Sequence, residues 1–158
     1  MRHAKSSWET QERDHDRPLG KRGYRQAFAA GEYLAGNHRI DQVLCSTSTR
    51  TRKTLERVFE AGVEAPVTYL EQIYEAGIRG LVNVLQTQAS GDTVLLLGHN
   101  PGVYSLVQYV GHFENSDVWN EVYSFVTSGI ATLSVPDPWS ELQPGNATLM
   151  SFVAPGRG

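Results

Sequence analysis

The sequence predicts an α/β protein with three layers (α/β/α), a mainly parallel central sheet and a C-terminal antiparallel hairpin at the sheet edge. Two observations lead to this prediction. Short apolar runs with β-branched residues alternate with segments whose apolar residues recur at helical spacing. One run, Thr93–Leu97, is apolar throughout, which is typical of a strand covered by helices on both faces. Residues 1–158 are enough for one sizeable core and show no linker, so we expect a single domain.

The first two thirds of the chain provide the alternating elements. Apolar residues at helical spacing predict a helix over Gly23–Leu34, which Gly36-Asn37 ends. The next elements, in chain order, are strand Ile40–Cys45, helix Thr49–Ala61, strand Pro66–Leu70, helix Ile78–Gln88 and strand Thr93–Leu97. A helix over Pro101–Val110 follows, with Asn100 expected as its N-cap and Pro101 at its first position.

The pattern changes after this helix. Phe113–Ser128 is irregular, with one short helix expected around Val118–Tyr123. Ile130–Val135 and Ala147–Val153 show the alternation or the apolar run of strands. Because a loop containing proline and glycine joins these two strands, we expect them to form the antiparallel hairpin.

Composition and charge exclude several classes of function. The formal net charge of −3 gives no general attraction to nucleic acid or to an anionic membrane. The single cysteine, Cys45, excludes an internal disulfide and fits a cytoplasmic protein. The sequence shows no signal-peptide pattern and no apolar run of about 18 residues. We therefore expect a cytoplasmic protein without nucleic-acid or membrane partners, in which any phosphate site is a local basic cluster.

Three segments have side chains that suit phosphate. These are Arg2-His3, Ser46–Arg50 after one predicted strand, and Gly98–Gly102 after another. Ligands of parallel sheets gather beyond the carboxyl ends of the strands, and helix N-termini there offer free N–H groups to an anion. A histidine beside an arginine is a candidate covalent nucleophile next to a phosphate binder. No residues have the paired spacing of a metal site, so we expect no metal.

Together these segments resemble the motifs of the histidine phosphatase superfamily, which implies a phosphoglycerate mutase-like fold. Arg2-His3 resembles its nucleophile motif, Ser46-x-x-x-Arg50-x-x-x-Thr54 its second arginine motif, and Leu97–Pro101 its second histidine motif. The chain looks more specifically like the SixA-type phosphohistidine phosphatase branch. The segments that carry this closer resemblance are Arg2–Ser6, Asp16–Leu19 with Gly23, Phe125–Ala131, Trp139-x-Glu141-Leu142 and Phe152-Val153-x-Pro155.

The resemblance implies a role for each site residue. His3 would attack phosphorus and become phosphohistidine, Arg2 and Arg50 would hold the phosphoryl oxygens, and His99 would help neutralise the transition state. Water would then hydrolyse the phosphoenzyme, so neither a metal nor an organic cofactor is expected. Attack requires an unprotonated His3 nitrogen, which a hydrogen bond from the other ring nitrogen to a backbone carbonyl would fix. The further candidates for binding the substrate are Ser6, Asn100 and Arg17.

The general acid stays open between four carboxyl groups. The resemblance points to a glutamate after strand Pro66–Leu70, where Glu71 and Glu75 lie, and Glu71 is the first candidate. Asp14 or Asp16 could also reach the site from the loop after the nucleophile. A phosphoramidate leaves as a nitrogen base and needs less from an acid, so a site without one is a further alternative.

We therefore expect a phosphatase that hydrolyses phosphohistidine in a protein, such as a phosphorelay protein, or another phosphomonoester, through phospho-His3. The short chain leaves little sequence for a lid, which fits a protein substrate. One alternative is a small-metabolite phosphatase of the same superfamily. Another, from a different class, is a non-catalytic module that binds phosphate or a phosphopeptide.

The N-terminus disagrees with the family pattern. That pattern has an apolar strand running into the Arg2-His3 pair, with Met1 as its last residue. We expect that the chain is truncated here, or that its start codon was placed too late. The alternative is a sheet without one central strand, which would expose apolar edges and leave His3 poorly held.

Overall fold

The computed structural model describes residues 1–112 and 116–157. The helices of this part are α1 (Lys21–Asn37), α2 (Thr49–Glu60), α3 (Ile78–Gln88), α4 (Gly102–Val110) and α5 (Ser116–Val122). Its strands are β1 (Gln42–Ser46), β2 (Val67–Leu70), β3 (Val94–Leu97), β4 (Gly111–His112), β5 (Ile130–Ser134) and β6 (Ala147–Val153). Short 3₁₀ turns lie at Asp14–Asp16, Glu71–Ile73 and Trp139–Glu141. None of the described helices is long and apolar enough to cross a membrane.

The strands of the described residues form two sheets. β1 lies between β2 and β3 and pairs parallel with both. β6 lies between β4 and β5, parallel to β4 and antiparallel to β5. The parallel sheet and the antiparallel pairing of the hairpin are therefore confirmed, with β4 added outside β6.

Alternation of side chains along the parallel strands explains the three layers. Val43 and Cys45 of β1 lie in one buried cluster with Leu55 of α2. Leu44, between them in sequence, lies in a second buried cluster with Leu81 of α3. Because helices cover both faces of the strand, its sequence is a continuous apolar run rather than an alternating one.

Residues 1–3 connect the two sheets. On the β3 side, the His3 N–H donates to the Gly98 carbonyl oxygen at 3.0 Å. On the β5 side, the Arg2 N–H donates to the Gly129 carbonyl oxygen at 3.0 Å, and the Ser128 N–H donates to the His3 carbonyl oxygen at 3.1 Å. The backbone of His3 is thus held on both sides, and the poor positioning that we considered for this residue is not found.

The core next to Met1 contains the buried N-terminal amino group and a cavity. The Met1 ammonium is buried and donates to the Leu96 carbonyl oxygen at 2.8 Å, and burial lowers its pKa to about 5. Beyond it lies a cavity of about 350 Å³, lined by side chains of β3, β5 and α4. At this level the two strands do not pair with each other, so residues 1–3 make the hydrogen-bonded connection between the sheets.

Helix α4 begins differently from its prediction. It starts at Gly102 without a side-chain cap, and the Val103 N–H donates to the His99 carbonyl oxygen at 2.9 Å. The Asn100 side-chain amide donates instead to the Phe125 carbonyl oxygen at 2.9 Å. The prediction of Asn100 as N-cap is therefore wrong, because this side chain is oriented toward a carbonyl group that is distant in sequence.

The other predicted elements are present, with small shifts at their ends. α3 and β6 have the predicted bounds, and α5 corresponds to the short helix expected around Val118–Tyr123. Of the segment expected to be irregular, residues 113–115 lie outside the described residues.

We expect Gly23→Ala to lower the free energy of unfolding by about 1–3 kcal/mol, the usual cost of overpacking. A Cβ atom at this position of α1 would overlap the Lys5 backbone, which belongs to the segment that carries His3. Gly36→Ala in the same helix is the control, because nothing lies within 4 Å of its added Cβ. That change should stabilise the protein by up to about 1 kcal/mol through helix propensity. Chemical denaturation measures both changes in the free energy of unfolding. Equal changes in the two variants would contradict close packing of α1 against the Lys5 backbone.

Candidate active site

The ring of His3 is buried and held in one tautomer. Its Nδ1 lies 2.7 Å from the Ala4 carbonyl oxygen, which can only accept, so Nδ1 carries the proton and donates it. Nε2 therefore keeps its lone pair. Burial lowers the pKa of His3 to about 3 against the effect of this hydrogen bond, and His99, Arg50 and Arg2 lower it further. The ring is neutral at pH 7, with the hydrogen bond to a backbone carbonyl that attack requires.

Thr54 connects the nucleophile segment to helix α2. Its buried Oγ1 accepts the Ala4 N–H at 3.0 Å and donates to the Arg50 carbonyl oxygen at 2.7 Å. Residues four apart lie on the same face of a helix, so the spacing from Arg50 to Thr54 places both next to this segment. The motif thus has a physical reason, since one residue fixes the segment of His3 and the other supplies a cation.

His99 follows β3, and its ring centroid lies 5.2 Å from that of His3. Its Nε2 is 2.8 Å from the Oγ of Ser46, which ends β1. That hydroxyl also accepts the Ser48 N–H at 3.4 Å, and when it donates its own proton to Nε2, the proton of His99 is on Nδ1. This Nδ1 is buried without a partner among the described residues. Burial and the charge of Arg50 lower the pKa of His99 to about 4, so this ring is also neutral at pH 7.

Three arginines supply the positive charge. Arg2 and Arg50 are close enough to His3 to lower its pKa, and Asp14 joins Arg17 to Arg50. Each has a buried nitrogen without a partner in the described part of the chain, Nε in Arg2 and Arg50 and Nη1 in Arg17. Buried N–H groups without an acceptor are unfavourable, and an anion that accepts from them relieves this cost.

Asp14 and Tyr74 close one side of the cluster. The Asp14 carboxylate pairs with Arg50 Nη2 at 3.0 Å and with Arg17 Nε at 3.3 Å, and the Tyr74 hydroxyl donates to it at 2.7 Å. The Tyr74 ring lies 5.5 Å from that of His99. The hydrogen bond from Tyr74, with Arg50 and Arg17, lowers the pKa of Asp14, which is therefore a carboxylate at pH 7. Burial and this carboxylate raise the pKa of Tyr74 to about 12, so its hydroxyl stays protonated.

The further candidates for substrate binding lie next to the arginines. Ser6 Oγ accepts from Arg17 Nη2 at 3.1 Å. The Phe125 carbonyl oxygen accepts both from Asn100 and from Arg2 Nη1, each at 2.9 Å. Oδ1 of Asn100 is buried without a partner among the described residues. Ser6 therefore supports Arg17, Asn100 shares an acceptor with Arg2, and both stay predictions as substrate contacts.

The candidate acids are not brought to the same place. Asp14 is paired with arginines, and Asp16 pairs with His15 at 3.2 Å with its side chain 57% exposed. Glu71 and Glu75 are exposed, in and just after a 3₁₀ turn. In the described part of the chain no hydrogen bond or ion pair joins Glu71 to the cluster, and its role as acid stays a prediction. No group of three or more histidine, cysteine or acidic side chains suited to a metal occurs among the described residues.

Sequence reasoning missed two contacts of this site. The contact between Ser46 and His99 was not predicted, although Ser46 ends β1 and His99 lies just beyond the end of β3. Because these neighbouring strands are parallel, with Cys45 opposite Leu97, their following residues lie at one edge, and this register was the available signal. The contact between Asp14 and Tyr74 joins two loops distant in sequence and has no local signal.

Comparisons with known proteins identify a family and relatives of this chain. The family model described as Histidine phosphatase superfamily (branch 1) matches residues 1–80. An uncharacterized protein of Mycobacterium tuberculosis is 39% identical over 160 residues, which cover 98% of this chain and 99% of that protein. An uncharacterized protein of Mycobacterium leprae is 37% identical over 163 residues, with the same two coverages.

Solved structures are similar over nearly the whole chain. A protein of Nakamurella multipartitia, provisionally assigned as the phosphohistidine phosphatase SixA, has a TM-score of 0.87 and 32% identity. The similarity covers 98% of this chain and 93% of that protein. A protein of Agrobacterium tumefaciens with the same provisional assignment has a TM-score of 0.79 and 28% identity, covering 98% and 95% of the two chains. The protein histidine phosphatase SixA complexed with tungstate shares the fold, with a TM-score of 0.79 at 24% identity and coverage of 98% and 94%.

We expect the protein to lose stability as the pH falls from about 6.5 to about 4. The histidines of the unfolded chain take up protons near pH 6.5, whereas His3 and His99 have pKa values of about 3 and about 4 in the folded protein. Because the unfolded state then binds more protons, the free energy of unfolding decreases with acid in this window. Denaturant titrations at several pH values measure the slope.

The double variant His3→Gln, His99→Gln should reduce this slope, most clearly below about pH 5, where the buried Met1 amine no longer contributes. His112→Gln is the control, because His112 is exposed in β4. A wild-type slope in the double variant would contradict the neutral state of the two rings.

Proposed function

The chain belongs to the histidine phosphatase superfamily and is a phosphatase, and we propose that it hydrolyses protein phosphohistidine through a covalent intermediate on His3. One observation carries this proposal. The hydrogen bond from His3 Nδ1 to the Ala4 carbonyl oxygen leaves Nε2 unprotonated, in a cluster with buried, unpaired N–H groups of Arg2 and Arg50. A lone pair among groups that bind an anion is what attack on a phosphoryl group requires.

The charge of the pocket suits a phosphoryl dianion. Three guanidinium groups (Arg2, Arg17 and Arg50) and one carboxylate (Asp14) leave a net charge of +2 when both histidines are neutral. A phosphoryl group carries about two negative charges at pH 7. The whole protein has a formal charge of −3, so this positive charge is local and favours phosphate here rather than elsewhere on the surface.

In the first step, the lone pair of His3 Nε2 attacks phosphorus and a P–N bond forms. The bond from phosphorus to the leaving group breaks, and its electron pair stays with the leaving group. The guanidinium groups of Arg2 and Arg50 and the Nδ1–H of His99 stabilise the charge on the phosphoryl oxygens. Nδ1 of His3 keeps its hydrogen bond to Ala4, so the ring does not have to turn.

In the second step, a water molecule attacks phosphorus. The P–Nε2 bond breaks and its electron pair returns to Nε2. Inorganic phosphate leaves with both protons of the water and loses one of them to solvent according to pH. His3 is then neutral again, with its proton still on Nδ1, and no cofactor takes part.

A leaving group that carries its own proton suits this site. Asp14 is held as a carboxylate by its partners, and Glu71 and Glu75 are exposed. An alcohol would leave as an alkoxide and would need a proton donor. The imidazole of phosphohistidine, when its other nitrogen is protonated, leaves as a neutral ring. This difference supports phosphohistidine over a phosphomonoester.

The rim of the site supports a protein substrate. Trp8 is 73% exposed, and the Arg17 guanidinium lies 3.6 Å from its ring centroid. The Asp14 side chain is 49% exposed beside the buried Arg50. Exposed groups at this rim suit a substrate that is itself a protein, such as a phosphorelay protein carrying phosphohistidine.

We expect His3→Ala to reduce turnover of p-nitrophenyl phosphate to the background rate, because no other group would form the P–N bond. The wild type, exposed briefly to substrate, should acquire a phosphoryl label that is labile to acid and stable to base, and His3→Ala should not. Steady-state kinetics and mass spectrometry of the quenched protein measure these outcomes. His112→Ala is the matched control and should keep wild-type turnover. Full activity of His3→Ala would contradict the proposal.

The substrate class is tested with the same wild-type protein. We expect a higher kcat/KM for a protein carrying phosphohistidine than for sugar phosphates or phosphoglycerate, because only the imidazole leaves without an added proton. A higher kcat/KM for a sugar phosphate or phosphoglycerate would instead indicate a small-metabolite phosphatase.

A further inference from the structure

The carboxylate of Asp14 lies among the arginines of the proposed phosphate site, where its negative charge would repel a phosphoryl group. Its charge therefore does not explain its position. We propose that Asp14 is a positioning residue, which orients the Arg50 guanidinium so that its Nε edge meets the phosphoryl oxygens. This inference rests on the proposed function, because it assigns Arg50 to the phosphoryl group of the substrate.

Asp14 contacts both terminal nitrogens of Arg50. Nη1 donates to the Asp14 backbone carbonyl oxygen at 2.6 Å, and Nη2 donates to its carboxylate at 3.0 Å. Nε is buried and has no partner in the described part of the chain. A planar guanidinium held at two nitrogens has a fixed plane, so the direction of Nε–H is fixed as well.

Asp14 is itself held from two sides. The Tyr74 hydroxyl donates to the carboxylate oxygen that Arg50 also contacts, at 2.7 Å. Arg17 Nε lies 3.3 Å from the other carboxylate oxygen. Arg17 donates from Nη2 to Ser6 Oγ at 3.1 Å, so these contacts connect Asp14 to the segment that carries the nucleophile. The position of Arg50 relative to His3 is therefore fixed by contacts from separate loops.

Electrostatics and orientation predict opposite effects for Asp14→Asn. Removing a negative charge from an anion site should strengthen phosphate binding. Weakening the contact from Arg50 Nη2, one of the two that orient this guanidinium, should reduce phosphate binding. Misplacing a catalytic contact by about 1 Å costs on the order of 100-fold in rate. If Asp14 is a positioning residue, the second effect is the larger.

The experiment compares Asp14→Asn with Asp16→Asn. Both changes remove one carboxylate from the same 3₁₀ turn, but Asp16 contacts His15 rather than Arg50. We expect kcat/KM for p-nitrophenyl phosphate to fall by roughly 10- to 100-fold in Asp14→Asn. Inorganic phosphate, as a competitive inhibitor, should also bind this variant more weakly. Asp16→Asn should keep both values, and thermal unfolding verifies that both variants are folded.

Two further readouts separate positioning from other roles. In an Arg50→Ala background, adding Asp14→Asn should cause no further loss, whereas a general structural role would lower activity in both backgrounds. The loss should also be equal for p-nitrophenyl phosphate and phenyl phosphate. A larger loss with phenyl phosphate, the poorer leaving group, would overturn the proposal in favour of Asp14 as the general acid.

Tyr74→Phe tests the same idea if Asp14→Asn does not fold. It removes only the hydroxyl that donates to Asp14, and we expect a smaller loss of kcat/KM in the same direction. Unchanged kcat/KM in this variant, or tighter phosphate binding in Asp14→Asn, would overturn the positioning role.

Failure of this inference is distinguishable from failure of the proposed function. His3-dependent turnover in the wild type supports the proposed function whatever Asp14→Asn does. If the wild type shows no such turnover, the proposed function fails. Calorimetry with inorganic phosphate then compares Asp14→Asn with Asp16→Asn directly, and weaker binding by Asp14→Asn alone still supports the orientation of Arg50.

Discussion

The site depends on the backbone of residues 1–3, which hydrogen bonds hold between β3 and the residues before β5. His3 donates to the carbonyl oxygen of Gly98 and accepts the N–H of Ser128 through its own carbonyl oxygen. Because His99 follows Gly98 directly, the two rings are placed by one local connection. Thr54 extends the connection to α2, which carries Arg50. The three segments meet where parallel strands end, which is the usual position of a ligand in such a sheet.

Burial has different consequences for the histidines and the arginines of this cluster. It lowers the pKa of His3 and His99, so a lone pair is available on the first and a neutral donor on the second. Burial separates Nε of Arg2 and Arg50 from water, and neither has a partner among the described residues. A phosphoryl group would replace that lost hydration with charged hydrogen bonds that are already oriented. Asp14 adds orientation at the cost of one negative charge in the site.

The sequence was sufficient for the features that depend on local pattern. Strand and helix periodicity predicted the layers. Because Arg50 and His99 each lie just after a predicted strand, in or before the first turn of the next helix, the sequence also placed both at the same edge of the parallel sheet. The sequence was insufficient where a group distant in the chain determines which contact a side chain makes. Asn100 was expected to cap α4, but its side-chain amide donates to the Phe125 carbonyl oxygen instead. Glu71 and Tyr74 follow the same strand, yet a 3₁₀ turn leaves Glu71 exposed and directs the Tyr74 hydroxyl to Asp14. Such choices depend on contacts between loops, which periodicity does not contain.

The protonation state of the His3 ring in the free protein tests the central claim most directly. ¹⁵N NMR of the ring nitrogens at pH 6 distinguishes the two neutral tautomers from the imidazolium. We expect a neutral ring with its proton on Nδ1 and an unprotonated Nε2, because Nδ1 donates to the Ala4 carbonyl oxygen and burial lowers the pKa to about 3. An imidazolium at this pH, or a proton on Nε2, would contradict the claim that the fold holds His3 ready to attack phosphorus.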